Sequence, residues 1–448
     1  MTNPIRKFIT REVGKIKKDG LPARMKRWLK DIRRPFSIVL AIPLVLIIRI
    51  IRPWILIRFC TLHTHNIGHL AGNTELYLCE RDAGINLPGK PHIDIFYLRA
   101  AGRVCNWQLV TMWKRVLHVW PAWIVDSIVK INRLIPGEEL HQIPADPVIP
   151  IKPANTQQDR DVHNLLDRFP PHLGFTEEEE ARGRAGLRAM GIPEGALFIC
   201  MIVRDGAYLI ARNRAYWRKH AYNESHRNGS HRNSNVQNYI LAAEELANRG
   251  YYVLRMGAKV HEEIKSTHSR VIDYATNGMR SDFMDIYLGA KCYFCISTGM
   301  GFDGVPTIFR RPIAYVDLVP LDYLPTFSKN FLGITKHHID SKDNRELTLG
   351  EIFSRGVGFP RSSKDYESKG IYLVENSPEE IRDLVIEMAE RLSGTWQRRE
   401  EDEDLQGRFW EIFPSDDARC VRNGKLLHGE IRGRFGAAFL GNNPDWLR

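Results

Sequence analysis

The stretch that most constrains this chain runs from Gly250 to Asp317, where GYYVLRMG is followed by SRVIDYATNGMRSDFMDIYLGA and then by KCYFCISTGMGFDGVPTIFRRPIAYVD. Three short β-type runs alternate with helical pieces, and each run ends in a loop of glycines, hydroxyls and arginines. An α/β unit builds its binding crevice in this way, at the carboxyl ends of its strands. Backbone amides and forked guanidinium donors that meet there suit a phosphorylated ligand. The pattern predicts strands over 251–256, 271–275 and 292–296, with Arg280-Ser281-Asp282 capping a helix to about Gly289. Phe283, Ile286 and Tyr287 face the core of that helix, with Asp282 and Asp285 elsewhere.

Upstream, Leu197–Val203 (LFICMIV) is the continuous apolar run of a strand covered on both faces. It leads straight into Arg204-Asp205-Gly206-Ala207-Tyr208. A charged pair at the exit of a buried strand is costly unless water or a ligand meets it, which favours a site over a structural ion pair. A polar insert follows, with SHRN given twice, and composition makes it a long loop. Arg232 and Asn233 stand out because they precede a helix start, which Ser234 and Gln237 mark as a capping box. Ser297-Thr298-Gly299-Met300-Gly301 follows the 292–296 strand and offers several backbone N–H groups. It is neither a P-loop nor a dinucleotide fingerprint, since neither glycine spacing is present.

Residues 59–180 read as a separate α/β domain. Phe59–Leu62 is its first strand, leading into HTHNIGHLAGNTELYLCERD, and Ile93–Leu98 its second. Glycines at Gly68 and Gly72 permit a sharp turn or a close backbone approach. His63, His65 and His69 are spaced for acid/base work, with an ordinary polar loop as the competing reading. No recognisable metal spacing completes the set. Trp107–Trp120 has apolar residues at helical spacing, and Pro144–Pro153 is a linker-like run. Thr176 and Glu179 form a capping box for the helix that Gly191 and Pro193 close. Pro320 to Asp365 reads as irregular, and Ser377-Pro378-Glu379-Glu380 opens a helix to about Leu392. The tail from 393 to 448 is charged, then aromatic and glycine-rich, and is placed against the first domain.

The net charge is +11 over 448 residues, but it is not evenly spread. Twelve Lys/Arg against three acids give residues 1–34 a charge of +9, and Arg49, Arg52 and Arg58 add three more. The body is therefore left near neutrality, which argues against a nucleic-acid partner. Phe36–Ile48 is unbroken apolar sequence, short of the ~20 residues a span needs. Extension to Ile57 takes in Arg49, Arg52 and two prolines. Residues 1–58 thus read as a basic anchoring segment for an anionic membrane surface. Shallow or re-entrant, spanning and buried-core forms all stay open. The seven scattered cysteines, an odd number, argue for reduced thiols. Cys292 and Cys295 sit in an apparent strand, where positions three apart face opposite ways and cannot share a metal.

In order, RDGAYL, HRNSNVQNY, GYYVLRMG, VIDYA, RSDFMDIYL and STGMG followed by PIAYVD resemble a bacterial family of glycosyltransferases of surface-carbohydrate biosynthesis. The match covers about 190–320, with HNIGHLAGNTELYL as a looser second match. More distantly, Val203-Arg204-Asp205 is similar to the arginine motif by which fucosyltransferase-type enzymes hold a nucleotide diphosphate. The resemblance implies a GT-B-like fold, α/β with two Rossmann-type domains facing across a cleft; it does not reach the N-terminal membrane-associated helical segment, which rests on residues 1–58 themselves. An acceptor domain would occupy 59–180 and a nucleotide-sugar donor domain 181–392. It further implies transfer of a hexosyl or deoxyhexosyl group from a nucleotide-sugar to a lipid-linked or surface-polysaccharide acceptor; the positive-inside rule sets the basic arm, and with a re-entrant anchor the body, at the cytoplasmic face of the inner membrane. A non-catalytic membrane scaffold with a degenerate nucleotide-sugar fold is the alternative.

Donor binding falls, on that resemblance, to Arg204, Arg255 and the Ser297–Gly301 loop, with Asp273, Arg280 and Asp282 shaping the pocket. Tyr208, Arg232, Gly257, Tyr274, Ser281, Ser297, Thr298, Gly299 and Gly301 complete the donor set. Asn66, Gly68, His69 and Asn73 are assigned to the acceptor side. Asp205 and His65 are the facing candidates for the base that the acceptor hydroxyl needs. No D-x-D stands at a strand end, so a metal-independent reaction with no cofactor beyond the nucleotide-sugar co-substrate is expected.

Overall fold

The computed structural model describes residues 21–85, 87–98, 104–143, 160–211, 230–360, 362–415, 421–422 and 425–448. The Pro144–Pro153 run and most of the SHRN insert lie outside them. The chain is α/β with parallel sheets. In the smaller sheet, β1 (Leu56–Leu62), β2 (His92–Leu98) and β3 (Val119–Trp120) lie side by side and parallel. Phe59, Ile95 and Tyr97 point to one face, where helices α1 (Leu21–Ile51) and α4 (Ala122–Asn132) cover them. Cys60, Leu62 and Phe96 point to the other, beside α2 (Thr74–Asp82) and α3 (Trp107–Val116). A sheet covered on both faces must be apolar on both, hence the IDIFYL run. The Trp107–Trp120 segment splits into α3 and β3, because the chain turns extended at Leu117 and its backbone joins β2.

The larger sheet has seven parallel strands. Its strands are β4 (Phe198–Ile202), β5 (Tyr252–Arg255), β6 (Val271–Ile272), β7 (Cys295–Ser297), β8 (Ile313–Tyr315), β9 (Phe331–Gly333) and β14 (Arg434–Phe435). Their spatial order, β14-β9-β8-β7-β4-β5-β6, is the doubly wound order with one added edge strand. The amino-terminal sheet, by contrast, has three strands among the described residues. Helix α5 (Glu177–Ala189) opens on the expected Thr176–Glu179 capping box, and Gly183 and Gly186 let Tyr287 and Met284 of α7 (Asp282–Lys291) pack against it. Any side chain at 183 would strike the Tyr287 ring. Helix α6 spans Ile240–Asn248.

Several expectations change. Cys292 lies at the C-terminus of α7, not in a strand, so the opposite-faces argument for Cys292 and Cys295 fails; both thiols are buried. Burial pushes the Cys200 and Cys295 thiols well above the ordinary range. Ser234 is not a helix cap; Asn235 caps a short 3-10 turn through its bond from the Gln237 amide. Asp285 is buried rather than turned away, because Arg280 and the Tyr274 hydroxyl meet it. The 320–365 region, expected to be irregular, contributes β9 to the main sheet, β10 (His337–Asp340) and helix α9 (Leu349–Ser354). β10 pairs antiparallel with β11 (Ile371–Val374).

Helix α11 (Pro378–Ser393) keeps its predicted cap at Ser377 and ends at Gly394 in the left-handed region. The tail docks on the larger sheet, and it also meets residues 160–167 of the expected first domain, where Arg432 Nη1 stands 2.9 Å from Asp167 Oδ2 and Arg160 Nε donates to the Leu427 carbonyl. Phe435 enters the sheet edge beside Gly333 and stacks on Phe409 of α12 (Glu400–Ile412), while Trp446 closes the cluster.

Helix α1 is not a core helix: it packs through Ala41, Val45 and Ile48 and leaves its other side exposed. No helix among the described residues is long and apolar enough to cross a membrane.

Candidate functional site

Strands β4 and β7 are adjacent in the sheet, and their crossovers leave in opposite directions. A crevice opens at such a switch point beyond the carboxyl ends of the strands. Here it becomes a cleft of about 520 Å³ between the two sheets. Its wall takes Arg204, Asp205, Gly206 and Tyr208 from the β4 exit, and Gly299 to Gly304 from the β7 exit. Gly257 and Lys259 come from the β5 exit, and Arg232, Arg280 and Asp285 also face it.

Arg204 is the most telling group. It has no carboxylate partner among the described residues, and its buried Nε makes no hydrogen bond among them. Burial, then the nearby Arg232 charge, pull its guanidinium down to about 10. Two like charges held together in a cleft need an anion between them. Arg232 also donates to the Gly299 carbonyl, which fixes it over the β7 loop.

The β7 loop itself behaves differently from expectation. The Gly299 amide donates to Ser297 Oγ at 3.1 Å and the Met300 amide to Asp303 Oδ2 at 2.7 Å. Two of the loop amides assigned to a phosphate are therefore already engaged within the loop.

From the smaller sheet, Asn66, Gly68 and His69 reach the same cleft. Gly68 lies directly on the β7 loop: a Cβ on it would stand 2.8 Å from the Gly301 carbonyl oxygen, and one on Gly304 would stand 2.9 Å from Gly68 Cα. Only glycine on both sides allows this backbone-on-backbone approach. The HNIGHLAGN loop thus forms the second wall, as its glycines suggested.

Among the described residues, three carboxylates face the cleft. Asp205 lines it, but its oxygens accept from the Ala207 amide at 2.9 Å and the His261 amide at 2.6 Å. Asp285 is raised to about 6 by burial, against the pull of Arg280 and Tyr274. Asp303 is raised to about 7 by burial, against hydrogen bonds from Ser297 and Met300. The expected donor set ended at Gly301 and so left out Asp303, which no capping signal marks, since Met300 has no side-chain oxygen.

A folded-state pKa above the unfolded one means that the folded chain holds the proton longer. Stability from this group therefore falls as pH rises from about 4 to about 7, and is level above. Asp303→Asn removes the titration. Its melting temperature relative to the wild type should rise between pH 5 and pH 8 in paired thermal unfolding; a constant difference would refute the assignment.

The remaining candidates support the wall from behind. Arg255 is buried, its charge met by Asp273 at 3.3 Å and Asp205 at 4.0 Å, so it braces the β5 exit and does not face the cleft. Asp273 also accepts the Ile264 amide. Tyr274 is buried on Asp285, Ser281 caps α7, and Asp282 accepts the Trp107 amide at 2.8 Å, joining α7 to α3. Ser297 is buried, and Thr298 Oγ1 takes the Arg204 amide at 3.1 Å. His65 is exposed and Asn73 is buried beside His69, both outside the cleft wall.

Among the described residues, one group has metal-ligand proximity: Glu75, Cys79 and His172, with ligand atoms within 4.8 Å of one another. Arg310 already occupies it, with Nη2 2.6 Å from Glu75 Oε1. Burial pulls His172 down, but hydrogen bonds with Cys79, Glu75 and Asp82 outweigh this and raise it to about 10. A protonated imidazole donates and does not ligate. The group is an ion-pair clasp joining α2, the chain at 169–172 and the turn before β8.

No family description and no curated protein matches this sequence. Two similar solved structures are the E. coli ADP-heptose LPS heptosyltransferase II and a glycosyl transferase family 9 protein from Veillonella parvula DSM 2008. The first is 15% identical with a TM-score of 0.37, over 62% of this chain and 90% of that one. The second is 12% identical with a TM-score of 0.41, over 75% and 97%. These values are too low to assign an activity.

Proposed function

We propose that this protein transfers a sugar from a nucleotide-activated donor to a lipid-linked or surface-polysaccharide acceptor. The observation that carries the reading is Arg204, unpaired by any carboxylate among the described residues and set against Arg232 in a cleft at the sheet's switch point. In the reaction, an acceptor hydroxyl oxygen bonds to the anomeric carbon as the bond from that carbon to the diphosphate oxygen breaks. Negative charge grows on the leaving diphosphate, where the two guanidiniums stabilise it. The hydroxyl proton passes to a cleft carboxylate. Asp205 keeps its candidacy, and Asp303 joins it with a proton affinity suited to neutral pH. His65 stands further out and is the weaker choice.

Two arginines supply the positive charge that a divalent ion supplies elsewhere, so no metal and no cofactor beyond the co-substrate is invoked. On this reading the basic arm of residues 1–34 lies on the cytoplasmic face of the inner membrane and brings the cleft to a lipid-linked acceptor.

Thermal-shift titration of the full-length protein with GDP-, UDP-, CMP- and dTDP-sugars tests the reading. One class should raise the melting temperature, and EDTA should leave that shift intact. Arg204→Gln should cost at least thirtyfold in apparent affinity, equivalent to about 2 kcal/mol for hydrogen bonds to a charged group. Absence of any stabilising nucleotide, or an unchanged Arg204→Gln response, would sink it.

A further inference from the structure

Helix α1 has two unlike faces. On the inner one, Ala41, Val45 and Ile48 are buried with Phe59 of β1 and Ile124, Val125 and Ile128 of α4. Ser37 Oγ meets Ser127 Oγ at 2.8 Å. Arg49, whose charge would oppose burial in lipid, turns inward as well. Its Nε donates to Asn132 Oδ1 at 2.7 Å, and its Nη atoms reach the carbonyls of Pro136 and Ile135 at 2.8 and 3.0 Å. Arg58 is buried on Asp94.

The outer face is apolar and uncovered. Val39 is 67% exposed, Ile50 66% and Trp54 69%, with Leu46 and Ile42 about half exposed. Exposed apolar residues also stand on the neighbouring body. Trp123 lies one turn before Ser127 on α4, Leu134 lies just before the Ile135 carbonyl that Arg49 bonds, and Trp120 lies just before α4; all three are exposed. Exposed apolar surface of this kind marks an interaction site.

We propose that this face lies along the surface of an anionic bilayer, with α1 in the membrane plane and Trp54, Trp120 and Trp123 at headgroup level. Two features select lipid over a second copy of the chain. Tryptophans stand around the patch, and their amphipathic rings suit the interface. The arm of residues 1–34 carries +9, complementary to anionic headgroups. The docking surface therefore includes the body's own α4 and is not confined to the first 58 residues. The donor-site reading is not needed for it, since a non-catalytic chain would dock in the same way.

Flotation of the full-length protein with phosphatidylcholine vesicles, with and without phosphatidylglycerol, provides the test. The wild type should float best with the anionic lipid and keep a fraction bound at high salt. L46E/I50E, at exposed positions, should lose at least tenfold in partitioning while its melting temperature and nucleotide-induced shift stay unchanged. Unchanged flotation of that variant would overturn the proposal, leaving the basic arm as the whole anchor. So would a wild type that does not float and whose dimer, seen by light scattering, the variant splits. Orientation is read by bromolipid quenching of V39W and I50W, about 16 Å apart along the helix. Equal, shallow quenching at both is expected; deep quenching at one alone would overturn the in-plane placement.

Discussion

Glu75→Ala is expected to destabilise the protein by about 3–5 kcal/mol, the cost of leaving one member of a buried ion pair uncompensated. Glu75 is fully buried, and its Oε1 accepts from Arg310 Nη2 at 2.6 Å and stands 3.1 Å from His172 Nδ1. Without it, Arg310 retains the carbonyls of Phe169, Pro170 and Ile308 and the Cys79 sulfur, none of which carries a carboxylate's charge. His172 loses one of the partners that hold it protonated. Glu75→Gln should recover part of the loss, because an amide oxygen accepts but carries no charge. The pH dependence has a definite sign. Stability from a raised histidine is fully present below the unfolded value near 6.5 and is lost as pH rises through about 10. Chemical denaturation followed by tryptophan fluorescence at pH 7 and pH 10 reads both effects. A loss below 1 kcal/mol at pH 7, or one unaltered at pH 10, would show that the clasp contributes little.

Gly304→Ala acts on the cleft directly. The new Cβ would lie 2.9 Å from Gly68 Cα and 3.0 Å from the Gly68 carbonyl oxygen, backbone atoms that cannot rotate aside. The loops must separate, at about 1–3 kcal/mol for overpacking. Gly68→Ala strikes the same interface from the other side, 2.8 Å from the Gly301 oxygen. Once one substitution has opened the contact, the second has less to break. The double variant should therefore cost less than the sum of the singles, the non-additivity of residues in contact. Nucleotide affinity should fall at least tenfold in either single variant, because the second wall has moved off the arginines. Full additivity would mean that the two glycines do not share one contact.

Much of this was legible in the residues. Gly68 and Gly72 in HNIGHLAGN announced a sharp turn or an approach to a ligand, and the structure sets Gly68 against the β7 loop instead. Thr176–Glu179 and Ser377–Glu380 named their helix starts because capping is local chemistry. What failed was non-local. Arg255 and Arg204 look alike in sequence, each ending a buried strand, yet Asp273 neutralises one while the other faces the cleft. Asp303 was hidden because burial, not spacing, gives it its proton affinity. β9 was passed over since three residues, Phe331–Gly333, carry too short a pattern to register. The tail's destination was equally unreadable, as Phe435 and Trp446 find Phe409 only in three dimensions.

The central claim is that Arg204 and Arg232 hold a diphosphate. Isothermal titration of the full-length protein with ADP, GDP, UDP and dTDP, beside the corresponding monophosphates, tests it most directly. One diphosphate should bind one-to-one, at least tenfold tighter than its monophosphate, and this preference should disappear in Arg204→Gln. Equal affinity for mono- and diphosphate, or a preference that survives Arg204→Gln, would contradict it.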